Sequence, residues 1–241
     1  LQVNACGGLR FVLGNGAQTR LDSAAALGVG AWHHVAATFA RPEMKVYVDG
    51  ALAGTATHDY PLAHNPAADL FVGASDHAVY PMASFAHGAL DDVRIYNRPL
   101  AADEIAALAY VEPDEEEPPA TGGDLILHLA FDADDETTAT DSSGYGNDGA
   151  RLGGAQTVPD GAEGLAIAFD GEDDHVRVPW SPTLDADDLT ISAWVKIEGA
   201  PGELQTLVFK RIPGLANGVD YALQLTPEGS VRWVLAKKWQ T

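Results

Sequence analysis

The sequence predicts an all-β protein in which two antiparallel sheets pack as a sandwich. Short runs of alternating apolar and polar residues recur along the chain, glycine-rich turns separate them, and one short segment has the periodicity of a helix. A sandwich requires this pattern, because each strand buries one face against the other sheet and exposes its opposite face. With 241 residues, 46% of them hydrophobic, the chain is long enough to bury one large core or two small ones.

Strands and hairpins are predicted along most of the chain. In KVYVDGALAGTAT (45–57), the dipeptide Asp49-Gly50 stands between two alternating runs, which is the strongest short-range signal for a β-hairpin. Further strands are predicted by the runs DLTISAWVKI (188–197), TLVFK (206–210) and DYALQL (220–225).

One segment is predicted to be a helix. In PLAADEIAALAY (99–110), the apolar residues Leu100, Ile105 and Leu108 share one helical face. Two acidic residues lie in the first turn, where carboxylates interact favourably with the helix dipole. The first part of the chain therefore reads as hairpins and strands that end in a short helix.

The two ends of the chain match each other at a constant offset of 222 residues. Leu1 falls on Leu223 and Arg10 falls on Arg232 without a gap, and both segments read as a hairpin with glycine at the turn. A self-match at one fixed period is the mark of a tandem array. We therefore expect a chain that begins inside one repeat and stops inside the next.

Residues 111–123, VEPDEEEPPATGG, are predicted to form an acidic linker, because this run of carboxylates with Pro and Gly cannot offset its ordering entropy by burial. They separate residues 1–110 from residues 124–241. Each segment alone is half a sandwich with open sheet edges, so we expect the two to dock as one circularly permuted sandwich. The hairpin copies at 1–13 and 221–235 then compete for one central position. We expect one copy to pair there and the other to lie at an edge or to stay disordered.

The charge balance excludes two classes of partner. Asp and Glu number 35 against 14 Lys and Arg, and the formal net charge of −21 repels nucleic acid and anionic membranes. The longest apolar runs, such as LILHLAF, are far shorter than the ~20 residues that a bilayer requires, so no membrane insertion is expected. The single cysteine, Cys6, cannot form an internal disulfide, so stability must come from packing or metal binding.

Five motifs carry a resemblance to a known family. They are FDGEDDHVRVP (169–179), DLTISAWVKI (188–197), WHHVAATF (32–39), KVYVDG (45–50) and GALDDVRIYNRPLAADEIAAL (88–108). They resemble the motifs of the laminin-G-like jelly roll in the concanavalin A-like lectin and glucanase superfamily, over nearly all of the chain outside the linker. In that family the first two motifs belong to the first half of a domain and the others to the second half. The resemblance therefore implies that residues 1–110 are the C-terminal half of one sandwich and residues 124–241 the N-terminal half of the next.

The sequence does not predict an enzyme. The segment EPDEE, from Glu112 to Glu116, spells the E-x-D-x-E arrangement of related glucanases, but retaining hydrolysis needs two carboxyls about 5 Å apart in a rigid cleft. Prolines within and beside this run make a central strand implausible. His33 and His34 point to opposite faces of a predicted strand, and no nucleophile motif such as G-x-S-x-G accompanies them.

Calcium is the predicted cofactor, in a structural role, because hard cations bind carboxylate, amide and loop carbonyl oxygens. The candidate ligands lie in loops or near strand ends and are Asp91, Asp132, Gly146, Asn147 and Asp170. The first and last strands of this superfamily lie side by side, so the resemblance implies that Asp91 and Asp132 share one ion.

Asp91 carries most of this calcium argument. Alternation places Asp91, Val93 and Ile95 on one strand face, so the carboxylate would lie in line with two core residues. Such a group is costly to bury unless it is paired or bound to a metal. The alternative is that Asp91 accepts hydrogen bonds from the backbone of a loop.

Exposed aromatic rings are the candidate ligand-binding groups, since sugars stack their apolar faces on such rings. Those that lie beside Pro, Lys or loop residues are Trp180, Trp239, Tyr60 and Tyr80. Trp32 and Trp194 lie inside the family motifs and are interpreted as packing residues. Single exposed rings need no functional explanation, so a scaffold without a ligand stays open.

These observations predict a non-catalytic binding and adhesion module of a secreted or surface-anchored repeat protein that recognises a glycan or another surface ligand. The alternatives are a purely structural spacer repeat that binds only calcium, and a glycoside hydrolase accessory region. We expect an extracellular or cell-surface location, and either a monomer or a domain-swapped dimer. The resemblance cannot choose among these functions, because function belongs to sites and not to folds.

Overall fold

The structure is a computed structural model of the chain. It describes residues 18–62, 68–77, 80–110, 123–133, 135–198, 202–211 and 219–236, together with two short strands at 2–3 and 9–10. Nearly all of the predicted linker lies outside the described residues, including Glu112, Asp114 and Glu116, and so does Trp239.

The described residues form twenty strands, one α-helix and one 3-10 turn. In chain order the strands are β1 (Gln2–Val3), β2 (Leu9–Arg10), β3 (Gln18–Ala26), β4 (Trp32–Ala40), β5 (Glu43–Val48), β6 (Ala51–Thr57), β7 (Leu70–Val72), β8 (Ser75–His77), β9 (Tyr80–Ala83), β10 (His87–Tyr96), β11 (Leu125–Leu129), β12 (Thr138–Ala139), β13 (Gly149–Leu152), β14 (Gln156–Val158), β15 (Ala166–Asp170), β16 (His175–Val178), β17 (Leu189–Ile197), β18 (Gln205–Arg211), β19 (Val219–Leu225) and β20 (Ser230–Ala236). Helix α1 spans Ala102–Leu108, and the 3-10 turn spans Pro182–Leu184. Within the described ranges, no helix has the length and apolar character needed to cross a membrane.

Two eight-stranded sheets contain most of these strands. The first sheet has the order β14-β15-β10-β17-β4-β5-β6, and β11 pairs with β10 as well. The second has the order β12-β13-β16-β7-β18-β19-β20-β3. Neighbouring strands run antiparallel, and the predicted all-β antiparallel sandwich is confirmed.

Both large sheets contain strands from before and after the predicted linker. Strand β10 pairs with β15, β11 and β17, and β7 lies between β16 and β18. The two chain segments therefore share hydrogen-bonded ladders within one sandwich. The hairpin copy near the C-terminus forms β19 and β20 of the second sheet, whereas β1 and β2 pair with each other.

The core fills the space between the two sheets. Leu90 of β10 pairs with Ile167 on one side and Val195 on the other, and each of these residues is at most 2% exposed. The second sheet contributes Tyr221 and Trp233, which are among the largest fully buried side chains of the described residues. Burial of one such apolar side chain contributes about 1.5–3 kcal/mol to the free energy of folding. Because both chain segments supply core residues, the stability of the core depends on both.

The predicted hairpin and helix are confirmed. Asp49 and Gly50 connect β5 to β6 with φ angles of 50° and 74°, the left-handed pair that a two-residue hairpin turn requires. Helix α1 lies within the predicted segment, and its buried Ile105 packs with Leu100 against Tyr47 of β5. This helix therefore covers part of the outer face of the first sheet.

The predicted alternation of Asp91 with Val93 and Ile95 is wrong. Asp91 pairs with Trp194, whose chain neighbours lie in the core, so both residues face away from the core. The strand register then shifts, and Asp92 takes a φ of 52°. This β-bulge inserts one extra residue and returns Val93 and Ile95 to the core.

Candidate functional site

An open cleft of about 450 Å³ lies beside the 3-10 turn. Its wall combines an aromatic ring, an amide and three carboxylates with a few apolar groups. The lining residues are Asn97, Ile126, Tyr145, Pro182, Thr183, Asp185, Ala186, Asp187 and Asp188. They come from distant stretches of the chain, which only the folded sandwich brings together.

One carboxylate of this cleft is held rigidly. Lys210 is fully buried, forms an ion pair with Asp185 Oδ1 and donates a hydrogen bond to the carbonyl of Leu184 at 3.0 Å. Trp180 donates its indole N–H to Asp185 Oδ2 at 3.2 Å. Trp180, predicted as an exposed ring for stacking, is half-buried, and its observed contact orients Asp185.

A glycine-rich loop, DSSGYGNDG (141–149), carries Tyr145 at the cleft. The carboxylate of Asp141 accepts three backbone N–H hydrogen bonds, two of them from within the loop. The Asn147 amide donates to the carbonyl of Ile126 at 2.7 Å and to the hydroxyl of Thr183 at 3.0 Å. The ring of Tyr145 is 43% exposed. Sequence reasoning missed this tyrosine, although its position between two glycines of a loop was a usable signal.

Two predicted calcium ligands belong to the same loop. Asn147 is buried, and its side-chain amide ties the loop to the 3-10 turn. Gly146 is exposed and has a φ of 72°, a left-handed conformation that favours glycine. The observed contacts explain both residues through loop structure, and their role as calcium ligands stays a prediction.

Charged side chains are buried together around the bulge of β10. Asp92 Oδ2 lies 2.8 Å from Arg94 Nη2, and Asp92 Oδ1 lies 2.5 Å from His128 Nε2. None of these three residues is more than 7% exposed. Burial alone would raise the pKa of Asp92, but the hydrogen bond from His128 and the charge of Arg94 outweigh burial and lower the pKa. Asp92 is therefore stabilised as a paired carboxylate.

Asp91 has a different set of contacts. Its Oδ2 accepts the backbone N–H of Glu163 at 2.9 Å, and Asp132 Oδ1 accepts the N–H of Leu165 in the same loop at 2.7 Å. Burial raises the pKa of Asp91 to about 7, and the charges of Asp92 and Asp132 add to the rise. Both predicted ligands thus hold a loop against the sheet, and an ion shared between them stays a prediction.

Asp170 lies at a third location, the turn between β15 and β16. Asp170, Asp173 and Asp174 each place a ligand atom within 4.8 Å of the other two. Within the described ranges, this is the single group of three or more His, Cys, Asp or Glu residues with such spacing. The sequence predicted Asp170 and not the other two, although all three lie in the run FDGEDD, and the role of Asp170 as a calcium ligand stays a prediction.

The remaining predicted rings lie apart from the cleft lining. Tyr60 is 40% exposed, and its ring meets that of His58 at 5.8 Å in an edge contact. Tyr80 begins β9, but its side chain lies outside the described part of the structure, and Trp239 lies outside it altogether. Their role in ligand binding stays a prediction.

The two tryptophans interpreted as packing residues lie on the outer face of the first sheet or at its end. Trp194 is 9% exposed and meets His34 edge-on, with ring centroids 5.4 Å apart. Burial lowers the pKa of His34 to about 4, so its ring is neutral at pH 7. Trp32 is half-buried and donates its indole N–H to the carbonyl of Asp160 at 3.1 Å.

Residues 1–106 match the family model described as the concanavalin A-like lectin/glucanases superfamily, in its laminin-G form. No curated protein sequence matches the chain at a significant level. The family match supports a laminin-G-like jelly roll, and it confirms the predicted resemblance over residues 1–106. Domains of this kind are generally non-catalytic.

Proposed function

We propose that this laminin-G-like sandwich is a non-catalytic binding module of a secreted or cell-surface protein, and that it binds an uncharged glycan in the cleft beside Tyr145. The cleft supports this function, because it joins an exposed ring to polar groups that the fold holds in place. Laminin-G-like domains typically bind ligands and are commonly extracellular, which agrees with the proposal.

The parts of the cleft suit a sugar. The exposed ring of Tyr145 offers an apolar face on which a pyranose ring stacks. The amide of Asn97 donates and accepts hydrogen bonds, and the carboxylates of Asp187 and Asp188 accept them from hydroxyl groups. Asp185 is held in advance by Lys210, so a ligand that contacts this carboxylate bears less of the entropic cost of ordering it.

The electrostatic potential selects the kind of glycan. Three carboxylates line the cleft, and the whole chain has a formal net charge of −21. A sulfated or carboxylated saccharide would therefore meet repulsion both during approach and in the cleft. We propose neutral saccharides as the ligand class for this reason.

Structural calcium is the second part of the proposed function. An ion that binds only the folded state stabilises that state by mass action, by about 2.7 kcal/mol when its concentration is 100 times its Kd. The acidic composition of the chain supplies many oxygen ligands for such an ion. The melting temperature is expected to be higher with millimolar calcium than with a chelator.

A glycan array that contains neutral and anionic saccharides tests the binding function, followed by calorimetry with the strongest hit. The wild-type protein is expected to bind neutral saccharides, and Tyr145→Ala is expected to weaken binding at least tenfold. Tyr110→Ala is the control, because Tyr110 is an exposed tyrosine that lies outside the cleft lining and was not predicted to bind a ligand. Binding of no saccharide would favour the structural spacer, and equal losses in both variants would place the ligand elsewhere.

A further inference from the structure

The turn between β15 and β16 concentrates three carboxylates in five residues. Asp170 ends β15, and Asp173 and Asp174 precede β16. One ligand oxygen from each of the three lies within 4.8 Å of the others. The described ion pairs leave these three carboxylates without a lysine or arginine partner. Within the described ranges, the turn therefore gathers negative charge without a Lys or Arg partner.

Hydrogen bonds within the turn hold this arrangement together. Asp170 Oδ1 accepts the backbone N–H of Glu172 at 2.8 Å and that of Asp173 at 3.4 Å. Asp174 Oδ2 accepts the backbone N–H of Asp170 at 2.9 Å. The spacing of the carboxylates is thus set by the backbone of the turn and is present before any ligand arrives.

Asp174 supplies the observation that points to a ligand. The residue is only 6% exposed, and its Oδ1 is buried without a hydrogen-bond partner among the described residues. Buried polar atoms nearly always have a partner, because an unpaired one loses the hydrogen bonds that water would have given it.

We infer that this turn binds one calcium ion through one carboxylate oxygen each of Asp170, Asp173 and Asp174. An all-oxygen ligand set suits a hard cation, and zinc would favour nitrogen or sulfur ligands. Calcium tolerates the irregular geometry of a surface turn and completes its six to eight ligands with water, whereas magnesium demands a near-ideal octahedron. Two of the three aspartates are exposed, so water has access to the ion.

The ion would brace the β15–β16 turn against the neighbouring turn at Gly153 and Gly154. A Cβ atom at Gly154 would lie 3.1 Å from Asp174 Oδ1, and one at Gly153 would lie 2.7 Å from the Cα atom of Asp174. The two turns are therefore in close contact, and an ion at Asp174 would hold them together. This site specifies the calcium part of the proposed function and is independent of glycan binding.

Calorimetric titration of chelator-treated protein with calcium chloride tests the site. We expect one binding event for the wild type and at least a tenfold weaker Kd for Asp174→Asn and Asp170→Asn. Asp59→Asn is the control, because it removes the same charge from an exposed residue outside the turn, and its Kd should be unchanged. The thermal unfolding of each variant in chelator shows that it is folded.

Three results would overturn the assignment. They are no calcium binding by the wild type, an unchanged Kd in a folded Asp174→Asn protein, and equal binding of magnesium at the same concentration. Glycan binding is measured on the same samples with and without chelator. Loss of calcium binding in Asp174→Asn with intact glycan binding would support this site. Failure of glycan binding alone would contradict only the proposed glycan site in the cleft.

Discussion

Asp91 and Asp92 are adjacent in the chain and almost equally buried, yet they differ in ionisation. Asp92 lies between Arg94 and His128, and its pKa is lowered. Asp91 accepts a backbone N–H of Glu163, and its pKa is raised to about 7. The β-bulge at Asp92 separates the two side chains and gives them different neighbours.

This difference shows that a buried carboxylate keeps a low pKa only when neighbouring groups compensate for its lost hydration. Desolvation opposes the charge on both residues, and for Asp92 the hydrogen bond from His128 and the charge of Arg94 reverse this effect. Backbone N–H groups are not enough for Asp91, because such hydrogen bonds offset only part of the lost hydration. Variants of these two residues test whether Arg94 and His128 decide the outcome.

The largest effect is expected for Asp92→Asn. This change removes the carboxylate from its two buried partners, Arg94 and His128, and breaking a buried ion pair typically costs about 3–5 kcal/mol. Asparagine tolerates the left-handed backbone at this position, so the loss reports on charge and not on strain. Urea denaturation at pH 7 measures the free energy of unfolding. A decrease in the free energy of unfolding no greater than that of Asp91→Asn would contradict the role given to Arg94 and His128.

The pH dependence of Asp91 is the next largest effect. Because its folded pKa of about 7 lies above its ordinary value of 3.8, the folded state holds this proton more tightly than the unfolded state. The contribution of Asp91 to stability is therefore present below about pH 4 and is lost as the pH rises towards 7, by about 2–4 kcal/mol in total.

Asp91→Asn should remove this part of the pH dependence. The variant is expected to be more stable than the wild type at pH 8, and the difference should shrink at pH 5. Denaturation curves for both proteins in chelator at these two pH values provide the measurement. Parallel pH profiles would show that Asp91 ionises with an ordinary pKa in the folded protein.

The smallest effect is expected for an exposed pair. Glu104 lies 2.7 Å from Arg98, and both side chains are more than a third exposed. The hydrogen bond from Arg98 lowers the pKa of Glu104 to about 2, so this contribution is present above about pH 4.5 and is lost as the pH falls towards 2. Glu104→Gln should cost less than about 1 kcal/mol at pH 7, because water screens the pair.

Thermal unfolding of Glu104→Gln beside Asp92→Asn gives the comparison directly. A shift in melting temperature of similar size for both variants would mean that burial does not determine how much a paired carboxylate contributes to the stability of this protein. A shift several times larger for Asp92→Asn is the expected result.

The local elements were predicted from the sequence, whereas most residues of the cleft were not. The Asp49-Gly50 hairpin and the helix at Ala102–Leu108 follow from turn chemistry and periodicity, which act within a few residues. The cleft joins Asn97 to Tyr145, 48 positions apart, and no local pattern links them. In the acidic turn, only Asp170 of the three proposed ligands was predicted from the sequence, since the burial of Asp174 depends on a neighbouring turn.

The sequence by itself determined that this chain is an all-β sandwich with an acidic surface, because alternation, glycine turns and net charge are properties of short stretches or of composition. Only the tertiary structure decided which carboxylates are neutralised. His128 reaches Asp92 across 36 positions of the chain, and Lys210 reaches Asp185 across 25. Desolvation and Coulomb attraction depend on distances of a few ångströms, which are set by the strand register and the bulge of β10.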